Sequence, residues 1–184
     1  MMRSIVFLIL CVIMMSGCAV KKETLNTEPK KFETLTQDIK ALGKGVDEKE
    51  AKMFAKEALS YPRVLAEKYK LMAPANFQNM LINMGMRERG LCYEWTEDMI
   101  THLKKQNYRS FDLRWGVAFK GEPMEHNSVV LVAKGAPFDS GILIDPWRNS
   151  GELYWGKMED DFIFKWVENI ERSRYYGTIK ASSK

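Results

Sequence analysis

The sequence predicts an α+β domain in which a helical N-terminal half packs on an antiparallel sheet. Two observations carry that expectation. Apolar residues recur at three- and four-residue spacing as far as Leu103, and from Phe111 onward they alternate with other residues. The alternating runs are joined by short stretches containing Gly, Pro and Asn, which favour antiparallel neighbours. A block of helices followed by a block of strands belongs to the α+β class.

Asp47 and Glu50 form a capping-box pattern ahead of Ala51, Phe54, Ala55, Ala58 and Leu59, so a helix is expected to start there. Tyr61-Pro62 interrupts the pattern, and Pro62 suits the first turn of a second helix through about residue 71. Pro74 begins a third, with Phe77, Met80, Leu81 and Met84 on one face and Gly85 as its stop. The methionines on these faces are read as core filler. Gly90-Leu91-Cys92 opens a fourth helix over about 93–105, whose buried face carries Trp95, Met99 and Leu103. Phe111, Leu113, Trp115, Val117 and Phe119 then mark a strand with one buried face. After a turn at Gly121-Glu122-Pro123, further strands are expected over 126–134, 141–147 and 152–157. A last helix over about 161–172 would carry Phe162, Trp166 and Ile170 inward.

The first residues have the three parts of a secretory signal: Arg3, the apolar run 4–15, and the small residues Ser16 and Gly17. The run is too short for the roughly 20 residues of a spanning helix. Met15-Ser16-Gly17-Cys18 resembles the bacterial lipobox, with Met15 where that pattern favours Leu. The resemblance implies cleavage after residue 17 and a lipid anchor on Cys18, hence a membrane partner; two or three acyl chains at about 0.8 kcal/mol per methylene hold firmly. The polar stretch that follows carries no apolar period and is read as a flexible tether over 18–46, leaving 47–184 as the domain. Ala19 is not the Asp associated with inner-membrane retention, which implies the periplasmic face of an outer membrane where two membranes exist.

Charge and cysteine content narrow the function. A net charge of +4, with Lys and Arg interspersed among Glu and Asp, makes no basic stripe, and nucleic acid is not an expected partner. No cofactor and no metal are expected. Of three cysteines, Cys11 lies in the signal and Cys18 is the lipidation site, so Cys92 stands alone. A single thiol in an exported protein is either a small buried hydrophobe or a nucleophile.

Cys92 lies in the first turn of its helix, a position that favours a thiolate over a thiol. A nucleophile also needs a base and a group to orient that base. His102 lies ten residues along the same helix and points elsewhere. His126 heads the second strand and Asp145 follows the apolar run of the third, in Ile144-Asp145-Pro146. If those strands pair, imidazole and carboxylate meet. Gly-Leu-Cys at a helix start, His at a strand head and Asp-Pro after the next strand resemble the transglutaminase-like branch of the papain-like cysteine enzymes, over residues 89–155. The resemblance implies a transglutaminase-like core with Cys92 as nucleophile, His126 as general base and then acid, and Asp145 as orienting carboxylate.

In that family an upstream side chain often donates to the oxyanion; Asn83, Gln78 and the Cys92 backbone N–H are the choices here, none at a diagnostic spacing. Trp95, Trp115 and Trp147 are candidates to line a substrate cleft, with core packing as the alternative. Two functional expectations follow. The first is an envelope lipoprotein that hydrolyses or transfers a peptide or amide bond, cell-wall peptides included, through a thioester. The second is a catalytically inactive lipoprotein that binds a peptide or protein partner in the same cleft.

Overall fold

A computed structural model describes residues 24–178, and the signal, the lipobox and Cys18 lie outside the described residues. The chain divides into two units, Met1–Lys31 and Phe32–Lys184. The second unit is α+β, with most of its helices preceding a five-stranded antiparallel sheet and a short one following it.

Helix α1 runs Thr24–Ala41, where a flexible tether was expected. From Phe32 it belongs to the second unit, and Leu35 and Ile39 are fully buried in the main core. Phe32, Leu35, Thr36 and Ile39 form one face at helical spacing, and each large side chain buried contributes about 1.5–3 kcal/mol. The domain therefore begins upstream of Asp47.

Helix α2 runs Glu48–Lys68, capped by Asp47, whose Oδ1 accepts from the Glu50 backbone N–H at 2.9 Å. The break expected at Tyr61-Pro62 is absent: Pro62 is buried inside one continuous helix. Ala51, Phe54, Ala55, Ala58, Pro62 and Leu65 make a single stripe that crosses the proline without a change of phase. Burial along that face outweighs the roughly 3 kcal/mol that an interior proline costs. Helix α3, Ala75–Asn83, follows Pro74 and stops before Gly85, which adopts φ +72°. Its buried residues are Ala75, Gln78 and Leu81; Met80 and Met84 face solvent, contrary to their reading as core filler. Helix α4, Cys92–Leu103, buries Trp95, Met99 and Leu103 as expected.

The strands are β1 (Phe111–Ala118), β2 (His126–Ala133), β3 (Ile142–Asn149), β4 (Glu152–Lys157) and the short β5 (Val167–Glu168). Their spatial order is β4-β3-β2-β1-β5. Strand β2, central, is buried on both faces. Its Val129 and Leu131 join the core shared with the helices, and Val130 and Val132 face a smaller cluster with Leu143 and Met158.

The terminal helix expected over 161–172 does not form as one piece. Asp161 Oδ1 accepts from the backbone N–H groups of Ile163 and Phe164, and this turn holds 161–166 out of helical geometry. Strand β5 then pairs with β1, and helix α5 (Ile170–Tyr175) starts only after Asn169, whose side chain caps it. Phe162 is 93% exposed and Ile170 about half exposed, so neither packs inward as expected; Trp166 is partly buried. No helix among the described residues is long and apolar enough to cross a membrane.

Candidate functional site

The register Val129↔Ile144 between β2 and β3 brings Asp145 beside the start of β2. His126 Nε2 donates to Asp145 Oδ2 at 2.6 Å, with both residues buried. Asp145 also accepts from the Arg148 backbone N–H at 3.2 Å and from Arg148 Nε at 3.3 Å. The imidazole is enclosed by aromatic rings, with centroids 4.7 Å away for Trp147 and Phe164 and 5.3 Å for Trp166. Arg148 also pairs with Asp161 at 2.7 Å, and Asp161 accepts from Trp166 Nε1 at 3.1 Å. The segment 161–166 is thereby tied over the His126–Asp145 pair.

Cys92, the first residue of α4, is half-buried and unpaired. Its approach is held at every residue. Gln78 Nε2 donates to Arg89 O at 2.9 Å, and the Gly90 and Leu91 backbone N–H groups donate to Glu94 Oε2 at 2.7 and 2.9 Å. This is half of a capping box, because Leu91 has no side-chain oxygen with which to complete it. Gly90 has φ +130°, and a Cβ there would lie 2.9 Å from Gln78 Cγ, so only glycine fits. Trp95 Nε1 donates to Gly90 O at 3.1 Å and anchors the same turn from inside.

The Cys92 thiol lies against both chain neighbours of His126, Glu125 and Asn127, and it acts on the imidazole from there. Burial pulls the imidazole pKa down and is the largest single influence. The hydrogen bond to Asp145, the Cys92 thiol and the charges of both outweigh it, and the pKa is pushed up to about 9. With Nε2 bound to Asp145, Nδ1 is the nitrogen left for the thiol, and it is buried without a partner at hydrogen-bond geometry. The sulfur contacts Glu125 O at 3.7 Å and Asn127 Nδ2 at 3.9 Å.

Of the three tryptophans expected at a cleft, Trp95 and Trp115 are fully buried and belong to the core. Their rings serve the site from behind: Trp95 holds Gly90, and Trp115 Nε1 donates to Asn127 Oδ1 at 2.7 Å. Only Trp147 is partly exposed; it packs on His126 and donates to Asn79 Oδ1 at 3.3 Å. Gln78 is not an oxyanion donor, because its amide is spent on Tyr69 O, Arg89 O and the Met72 N–H. His102 pairs with Glu57 at 2.7 Å and stacks on Tyr61, away from the thiol as expected.

A cleft of about 490 Å³ opens beside Asn127, walled by Tyr93, Lys120, Glu125, Asn169, Arg172 and Tyr175, with Trp115 closing its floor. A second cavity of about 520 Å³, between Asp38, Gly141 and Trp155, shares no residue with the Cys92 neighbourhood. Among the described residues no group of three or more His, Cys, Asp or Glu side chains is placed to hold a metal ion.

Asn127, Phe164 and Trp166 were missed by sequence reasoning. Asn127 directly follows His126, but a strand sends consecutive side chains to opposite faces. The position of Cys92 at the end of β2 puts Asn127 within reach of the sulfur. No protein-family model matches the chain, and neither does any curated protein or solved structure.

Proposed function

We propose that this chain is a thiol enzyme that attacks an amide or peptide carbonyl, anchored at a cell envelope by lipid on Cys18. One observation carries the reading: a half-buried thiol at a helix start touches both chain neighbours of an imidazole that a buried carboxylate holds. These are the three roles a covalent acyl-transfer site requires. A pKa of about 9 keeps the imidazole protonated at neutral pH, ready to serve as a general acid.

In the proposed reaction the Cys92 sulfur adds to the carbonyl carbon while His126 holds the thiol proton. The tetrahedral intermediate collapses as His126 returns that proton to the leaving amine, and a thioester remains. Water, deprotonated by the then neutral imidazole, cleaves the thioester in a hydrolase; an amine would do so in a transferase. The Cys92 backbone N–H, at the first residue of α4, would serve as a donor to the oxyanion in this reaction. The transglutaminase-like arrangement of the core is part of the same proposal, supported by the order Cys, His, Asp on helix, strand and neighbouring strand.

Alkylation by iodoacetamide across pH, read at the Cys92 peptide by mass spectrometry, tests the base. The expected result is reaction at neutral pH that slows at least about ten-fold in His126→Ala, within the range general base catalysis supplies. Equal rates in the two proteins would refute the pairing. A thiol unreactive in both would favour the inactive, partner-binding lipoprotein.

A further inference from the structure

We infer that the side-chain amide of Asn127 is an oxyanion donor of the Cys92 site, an assignment that rests on the acyl-transfer reading above. Its orientation follows from chemistry. Trp115 Nε1 can only donate, and it lies 2.7 Å from one end of the amide, so that end is the oxygen. The nitrogen therefore faces the other way, where it donates to Glu125 Oε1 at 3.0 Å. Glu125 is held in turn: its other oxygen accepts from the Gly121 backbone N–H at 2.7 Å. That bond, the Asn127 amide and nearby Lys120 and Arg172 together keep its carboxyl below the usual range, against a smaller opposing effect of burial. Glu125 is thus an acceptor throughout the neutral range, and it leaves one Asn127 N–H unspent.

That second N–H belongs to a residue only 4% exposed, and it is directed at the Cys92 sulfur across 3.9 Å. A buried amide hydrogen facing so long and weak a contact is a donor in reserve. Sulfur and nitrogen at this separation leave room for an oxygen about 3 Å from both, where the oxyanion of a tetrahedral adduct on the sulfur would sit. The cleft that Asn127 and Glu125 line opens on the Asn127 side of the sulfur, with Tyr93, the next residue after Cys92, in its wall. His126 and Asn127, consecutive residues of β2, then divide the work. One holds the proton that the thiol gave up, and the other receives the charge that forms on the carbonyl oxygen.

Two reagents separate this role from a structural one. In acylation by p-nitrophenyl acetate the sulfur–carbon bond forms through a tetrahedral oxyanion, p-nitrophenolate leaves, and the thiol proton stays on His126. Alkylation by iodoacetamide displaces iodide directly and makes no oxyanion. With the full-length protein, and Cys92→Ala subtracted as background, Asn127→Ala is expected to slow acylation about 10²–10³-fold. Its alkylation rate should fall far less than its acylation rate, because alkylation makes no oxyanion. Because Asn127→Ala strips Trp115 of its acceptor, folding is checked by circular dichroism. Asn127→Asp serves beside it, filling the same volume and keeping an oxygen for Trp115 while losing both donors. The readout for each variant is the ratio of acylation to alkylation. A ratio equal to wild type in the folded variant would overturn the assignment, whether both rates fall together or neither moves. Wild-type protein that alkylates but is not acylated would instead refute acyl transfer itself, and the role of Asn127 with it.

Discussion

The protonation of His126 makes the stability of the domain depend on pH in a window that few other groups share. Its pKa rises from the usual 6.5 to about 9 on folding, because Asp145 and Cys92 favour the imidazolium more than burial disfavours it. The folded state then binds the proton more tightly than the unfolded chain, so the stabilisation is complete below pH 6.5 and is lost as pH rises through about 9. At 1.36 kcal/mol per pH unit the difference is on the order of 3 kcal/mol. For a chain of this length that is a fall in Tm of roughly 6–12 °C between pH 6 and 9.5. Tyr176, whose pKa burial and the Glu97 side chain push up to about 12, adds its own destabilisation only once the unfolded tyrosine ionises near 10. Tyr176 therefore leaves the window up to pH 9.5 clear. Urea unfolding followed by fluorescence, in reductant and at half-unit pH steps, measures it. Asp145→Asn should be less stable overall and lose most of the slope above pH 6.5, since burial then opposes the charged ring with only the thiol to offset it. A wild-type profile that stays flat from 6.5 to 9, or an Asp145→Asn slope as steep as wild type, would refute the assignment of the proton to this pair.

Two further outcomes concern the N-terminal region. Leu35→Ala should cost about 2–5 kcal/mol in urea unfolding, because the side chain is fully buried in the main core; a loss below 0.5 kcal/mol, the ordinary level for surface sites, would restore the tether reading. Cys18→Ser should move the protein from the membrane pellet to the soluble fraction after cell lysis, and retention in the pellet would count against a lipid anchor.

The sheet was readable because alternation at Phe111, Leu113, Trp115 and Val117 has only one structural meaning, and the short turns allowed only antiparallel neighbours. The convergence of His126 on Asp145 was readable for the same reason: once β2 and β3 pair, their polar residues meet. Helix α1 was hidden although its period was present. Phe32, Leu35 and Ile39 are spaced as a helix face, but Thr36 occupies the fourth position and Lys and Glu surround them. Pro62 misled because the local cost of an interior proline says nothing of the buried stripe on either side of it. At 161–166 the helical pattern of apolar residues lost to a single side chain, Asp161, which satisfies two backbone N–H groups locally and binds Arg148 and Trp166 at a distance. The tryptophans could not be sorted between cleft and core, since residue type alone carries no depth. Asn127 needs three dimensions, because its meaning lies in the Trp115 ring that aims it.

The candidate site is divided between two layers. Its base and carboxylate are locked to each other by the pairing of two central strands, and Arg148 binds that pair to the segment that covers it. The thiol comes from a helix, and its distance from the imidazole depends on how α4 seats on β2. Trp95 and Met99 of the helix share one core with Val129 and Leu131 of the strand. Interiors of this density transmit a change of one methylene, so truncating Met99 or Leu131 would alter the thiol–imidazole distance before it unfolds the domain. The His126–Asp145 bond, set by strand register, would survive the same change. Reactivity at Cys92 is therefore the more fragile of the two properties. A variant can lose the nucleophile's alignment while keeping the part of the His126 pKa rise that Asp145 supplies, and the two quantities together distinguish a displaced helix from a broken pair.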